Sequence, residues 1–229
     1  MTQTLTPNSL TPNGLTKLAY QGFQQSKQVF GFAHKVLSTQ FLNALSPTKR
    51  NEPNPLNPEM LQAIQSRIDK LLAADWQDAE DGVYPKSALF DNRWDDFFRY
   101  YPELWVDLPK IWDRATNKRH QDFSEGISTD GYPAYYVQNF HHQTDGYFSD
   151  YSANMYDLQV EVLFNGTAAP MRRRILAPLK QHLSQMPVSA DISPQSLKVL
   201  DIACGTGNSL TLINQSMPEV SLYGVDLSP

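Results

Sequence analysis

The sequence predicts an α/β chain: a long, mainly helical N-terminal region, then a β-strand, a helix and a second β-strand. Two observations carry that reading. Apolar residues recur at helical spacing through much of residues 15–190, and at Leu197 the pattern switches to short apolar runs broken by glycines. Strand, helix and strand in that order form the βαβ unit of a parallel sheet.

Residues 1–14 are rich in Thr, Pro and Asn, the composition of a disordered lead. From Leu15 to Leu45, Leu18, Phe23, Phe30, Ala33, Leu37, Phe41 and Leu45 share one helical face, with Gly22 and Gly31 as the points where the helix would divide. Ser46–Pro58 holds four prolines and three asparagines and reads as a linker. Asn57, Pro58 and Glu59 read as cap, first helical residue and first-turn acid of the next helix. Its buried stripe would be Met60, Ile64, Ile68, Leu71 and Leu72. Asp75–Pro85 is acidic and turn-rich, and two short aromatic segments follow around Trp94–Tyr101 and Leu104–Trp112. A helix is expected from about Ser152, and another from a Thr167 cap through Met171, Ile175, Leu179 and Leu183. Pro178 should kink or shorten that one, because it lacks an amide donor. Gln185–Ser196 is a polar connector. Leu197–Ala203 reads as a buried strand, Asn208–Ser216 as a helix and Val220–Val225 as a second strand. The chain thus divides into a lead (1–14), a helical region (15–190) and a βαβ segment (195–229).

Composition narrows the function classes. Hydrophobic residues make up 41% and charged residues 19%, the balance of a soluble globular protein. A net charge of -5 with no basic clustering gives no footprint for nucleic acid. The run Arg172-Arg173-Arg174 reads as a solvated helical face. One cysteine, Cys204, allows no internal disulfide and suits a reducing compartment. There is no basic-then-apolar leader, and no apolar run approaches the roughly 18 residues of a spanning helix. The expected setting is soluble and cytoplasmic, with no transmembrane segment.

The segment VLDIACGTGNS places Asp201, Ala203, Gly205 and Gly207 where the first strand turns into the helix. Glycines there allow a tight turn and close approach of a ligand to the backbone. Asp226 ends the second strand, nineteen residues after Gly207. In such sheets the ligand crevice lies beyond the carboxyl ends of the strands, so the turn and Asp226 face one pocket. A carboxylate in that place can accept hydrogen bonds from both ribose hydroxyls of an adenosine. A nicotinamide dinucleotide asks for G-x-G-x-x-G, and Leu210 occupies the third position. Asp201, just before the turn, would repel a pyrophosphate but suits a cation. S-adenosylmethionine carries an ammonium and a sulfonium and no phosphate, so the signs favour it.

VLDIACGTG followed by YGVDLSP resembles the first two motifs of class I S-adenosylmethionine-dependent methyltransferases, including their quinone, sterol and small-molecule branch. Ala203 replaces the first glycine of the usual D-x-G-x-G-x-G. The resemblance covers residues 197–229. It implies the start of a Rossmann-like domain, truncated here, in which Asp201 helps hold the cofactor's amino acid end. It further implies that Ala203, Gly205 and Gly207 lie against the cofactor and that Asp226 holds the ribose. The upstream segment YPAYYVQNFHHQTDGYFSDYSANMYD is similar to an uncharacterised methyltransferase-like group of cyanobacteria and plastids.

The resemblance implies a methyltransferase for a small-molecule or lipid acceptor, present as an N-terminal fragment that is inactive alone. Methyl transfer is an in-line displacement in which the enzyme mainly positions two reactants. His141, His142 and Tyr136 are candidates to line the acceptor site, weighed against packing roles. The two histidines do not make a metal site, because neighbouring side chains point apart, and no metal is expected. Cys204 reads as a small packing residue, and Trp94, Phe97, Phe98, Tyr100 and Tyr101 as core. Two other functions stay open: a cofactor-binding remnant without turnover, and a nicotinamide-dependent oxidoreductase. Neither the acceptor nor the oligomeric state is written in the sequence.

Overall fold

The computed structural model describes residues 11–45, 57–91, 94–186 and 197–229. Most of the expected lead, linker and connector (residues 1–10, 46–56 and 187–196) lies outside them.

Helix α1 runs unbroken from Pro12 to Leu45. It starts three residues earlier than the apolar spacing indicates, because Thr11 caps it: the Thr11 hydroxyl accepts from the Gly14 amide at 3.1 Å. Neither glycine divides it. At Gly31 a Cβ would stand 2.8 Å from the Asn165 Cα, so glycine is what lets α1 cross the segment around Asn165 so closely. Helix α2, Pro58–Glu80, begins as read, with the Asn57 side chain accepting from Met60 N at 2.7 Å. Its expected buried stripe holds only in part: Ile68, Leu71 and Leu72 are half-buried, with Leu72 against the core. Met60 and Ile64 are exposed, and full burial is confined to Asp75, Trp76 and Ala79, because only the last turns reach the core.

The two aromatic segments form one helix, α3 (Trp94–Thr116), which carries Pro102 and Pro109 within it. Seven residues apart, the prolines fall on one side of the helix, so the other side keeps its hydrogen bonds. Helix α4, Asp150–Leu163, is capped by Ser149, whose hydroxyl accepts from Ser152 N at 3.2 Å. Past it, the single expected helix is two: α5 (Ala168–Arg173) and α6 (Leu176–Gln185). Pro178 explains the break, since its ring would collide with the carbonyl four residues back, at Arg174. Thr167 holds the cap position of α5 but makes no side-chain cap bond.

Strands β1 (Lys198–Ile202) and β2 (Ser221–Val225) pair in parallel around α7 (Asn208–Ser216), in register from Lys198↔Ser221 to Ile202↔Val225. The β1 strand is not fully buried as expected. Val199 and Leu222 pack against the core, whereas Leu200, Ile202, Tyr223 and Val225 are all more than half exposed. Among the described residues, helices cover only one face of the sheet.

One buried cluster joins the two parts of the chain: Tyr20, Trp76, Tyr84, Leu89 and Leu176 pack with Ile213, Met217 and Val220. A smaller cluster of Tyr100, Leu104 and Met155 joins α3 to α4. The arginine run is not a solvated face. Arg173 is buried and grips Asp75 with both ends of its fork, Nε at 2.8 Å and Nη2 at 2.6 Å. The Tyr20 and Tyr84 hydroxyls donate to the same carboxylate at 2.6 and 2.7 Å. Burial first, then the Asp75 charge, holds both phenols well above their ordinary range. Arg172 pairs with Asp157 at 3.2 Å and Arg174 with Asp78. No helix among the described residues is long and apolar enough to cross a membrane.

Candidate functional site

The turn after β1 has an unusual backbone. Ala203, Gly205 and Gly207 all have positive φ, at 65°, 52° and 77°. Only glycine adopts that region without steric cost. Their positions are fixed by β2: the amides of Ala203 and Cys204 both donate to the Val225 carbonyl, at 2.7 and 3.2 Å. Gly207 then caps α7 without a side-chain bond. Replacing Ala203 with glycine should relieve the misfit between Cβ and carbonyl. A net gain of about 0.5–1 kcal/mol is expected, the strain relief exceeding the added entropy of the unfolded chain. Urea unfolding with an unchanged or lower midpoint would argue against strain at this position.

The delayed acid reaches the turn directly. Gly205 N donates to Asp226 Oδ2 at 2.7 Å, and Ser228 N donates to Oδ1 at 2.8 Å. Each carboxylate oxygen thus has one bond and retains acceptor capacity. Asp201 is half-buried on the Val199 face of β1; its backbone pairs in the sheet opposite Gly224, and its carboxylate makes no hydrogen bond or ion pair with another described residue. A Cβ built on Gly205 or Gly207 would meet nothing within 4 Å, so protein packing does not fill the open side of the turn.

Leu210 and Cys204 have a packing explanation. Gly224 in β2 has no Cβ, and one placed there would stand 2.6 Å from Leu210 Cδ1 and 2.9 Å from Cys204 Sγ. Close approach of helix and strand is obtained by a glycine on the strand instead of one on the helix. Cys204 lies against the sheet as a small packing residue.

The aromatic segment between α3 and α4 docks over the carboxyl end of β2. Ser228 Oγ donates to the Tyr147 carbonyl at 2.5 Å. Burial and then the charge of Asp226 push the Tyr136 phenol up to about 12. The Tyr147 phenol is also raised, by burial, Tyr156 and Asp226. Tyr147 stacks on Phe140 with ring centroids 4.7 Å apart. Of the three acceptor-site candidates, Tyr136 is therefore beside the turn. His141 and His142 form a left-handed pair (φ 55° and 60°) in the 3-10 turn Phe140–His142. His141 is exposed, and the carbonyl of half-buried His142 accepts from Arg114 Nε at 2.9 Å. No hydrogen bond among the described residues connects either histidine to the glycine turn. No group of three His, Cys, Asp or Glu among them could hold a metal ion.

Behind the turn lies a cleft of about 960 Å³, walled by α1, α3, α4, α5 and the first turn of α7. Thr206, between the two glycines, forms part of its rim and donates to Asp157 Oδ2 at 2.8 Å. Phe97 and Phe98 line the cleft, and Phe98 is 70% exposed, so the aromatic run of α3 is not all core. Asp157 and Tyr147 were not singled out in the sequence, and Arg172 was read there only as part of a solvated face. Their spacing carries no signal, because each meets the turn only through tertiary packing. No protein-family model, curated protein or solved structure matches the chain.

Proposed function

We propose that this chain binds S-adenosylmethionine at the glycine turn and belongs to a methyltransferase acting on a small-molecule or lipid acceptor. One observation carries the reading: the 2.7 Å bond from Gly205 N to Asp226, which joins the turn and the delayed acid in one site beyond the strand ends. The donor and acceptor set fits the cofactor. Asp226 retains acceptor capacity for two ribose hydroxyls. Asp201 offers a carboxylate to an ammonium group, and the open side of Gly205 and Gly207 leaves room for a ligand against the backbone. Leu210 fills the place of the glycine a dinucleotide fold uses, which weighs against a nicotinamide cofactor.

When bound, the cofactor supplies a methyl group on a sulfonium leaving group. The chain's own part is to hold the two reactants in line and keep water out. Tyr136 and Tyr147 bring aromatic surface to the Asp226 end of the site, where a cation or an adenine ring gains from it.

The test is calorimetric titration of the purified chain with S-adenosylmethionine and, separately, with NADH. Saturable binding of the first and none of the second is expected. Gly205→Val should abolish it, since a branched residue at φ 52° must rearrange the turn. Tighter binding of NADH, or undiminished S-adenosylmethionine binding by the valine variant, would overturn the reading.

A further inference from the structure

We propose that the cleft behind the glycine turn binds an uncharged molecule with an apolar, ring-sized body, whose polar end meets Asp157 and Thr206. Resting on the reading above, this makes the cleft the acceptor site, but its test does not depend on cofactor binding. Size comes first: about 960 Å³ is at the upper end of the range for sites that enclose a whole small molecule. Its wall is largely apolar, with Phe30 and Leu158 facing it beside Phe97 and Phe98. Phe30 and Phe97 already pack edge-on at 5.3 Å, the geometry in which another ring can be added.

Charge then narrows the class. The cations of the cleft are committed: Lys27 to Glu161, Arg172 to Asp157 and Arg173 to buried Asp75. Asp91 and Asp96 also line the cleft, so an entering anion would meet carboxylates and find every described cation engaged. A cationic ligand gains little from Asp157 or Glu161, because each already faces a cation. The other lining carboxylates are Asp96 and Asp91, which accepts from Gln215 Nε2 at 3.3 Å, and the ammonium probe measures their pull. A hydroxyl or amide can join the Thr206–Asp157–Arg172 chain without breaking an ion pair. That chain ends on the residue between Gly205 and Gly207, so the polar end of the guest lies next to the turn.

Three probes of one shape test the idea on the purified chain: 2-naphthol, naphthalene-2-sulfonate and 2-naphthylmethylammonium, titrated by fluorescence. Naphthol should bind with one-to-one stoichiometry and about tenfold or more tighter than either ion. Thr211→Trp, a change at an exposed position on α7 that projects bulk into the cleft, should weaken naphthol binding at least about tenfold. Phe98→Ala provides an independent variant at an exposed wall position and should also weaken it. Calorimetry with S-adenosylmethionine is run on the same samples. Naphthol binding without cofactor binding upholds the cleft and sinks the methyltransferase reading. Cofactor binding with no naphthol binding sinks the cleft alone. Tighter binding of either ion, or naphthol affinity unmoved in both variants, also overturns the proposal.

Discussion

Replacing Arg173 with methionine is expected to cost about 3–5 kcal/mol, because it leaves Asp75 as an unpaired charge in the core. Asp75 is fully buried, and apart from the arginine its carboxylate has only the Tyr20 and Tyr84 hydroxyls. Tyrosine hydroxyls can solvate a carboxylate but cannot neutralise it. Against a typical total stability of about 5–15 kcal/mol, a loss of this size would leave much of the population unfolded near physiological temperature. The companion variant carries Asp75→Leu together with Arg173→Met. It should recover most of the loss, since an apolar pair of similar volume avoids the desolvation penalty altogether. Recovery should stop short of complete, because the buried Tyr20 phenol loses its acceptor, and the Tyr84 phenol and the Ala88 carbonyl, which accepts from Arg173 Nη1 at 3.0 Å, each lose one of two partners. Urea unfolding of the three proteins decides it. A single variant within about 1 kcal/mol of the parent would mean that water reaches the pair.

Asp226→Ala is expected to weaken S-adenosylmethionine binding by about 2–4 kcal/mol, or roughly 30- to 1000-fold, through loss of two charge-assisted hydrogen bonds. The structure adds a complication, for Asp226 also accepts from Gly205 N and Ser228 N. Alanine therefore loosens the turn as well as removing the ribose acceptor. A cofactor analogue lacking one ribose hydroxyl separates the two effects in a double-mutant cycle. The parent protein should lose affinity for the analogue, and the alanine variant should treat analogue and cofactor alike. Unchanged cofactor affinity in Asp226→Ala would remove the ribose assignment.

What could be read in advance follows from how local each signal is. Asn57 and Pro58 announced a helix start because cap, proline and helix are adjacent in the chain. Thr11 and Pro12 are the same signal, hidden because they sit inside a polar lead. The parallel pairing of β1 and β2 was legible from order alone, since a strand, helix and strand of this length have few other ways to pack. The inner Arg173 was not legible. Three consecutive arginines look identical in sequence, and only the rotation of α5 decides which one points at Asp75, 98 residues away. Met60 and Ile64 failed for the converse reason: helical spacing identifies an apolar face without saying whether anything covers it. The position of Tyr136 beside Asp226 depends on an irregular segment, where no periodicity operates.

The shared core also sets a timetable for the molecule as it is made. Tyr20 must wait for Val220, a partner in its cluster, to be synthesised 200 residues later. At ribosomal rates of about 5–20 residues per second, that is a delay of roughly 10–40 s. During it, α1 and α2 can form, but Trp76, Tyr84 and Leu176 have no Ile213, Met217 or Val220 to close over them. The nascent helices would display an open apolar surface for that interval, the kind of surface that chaperones bind.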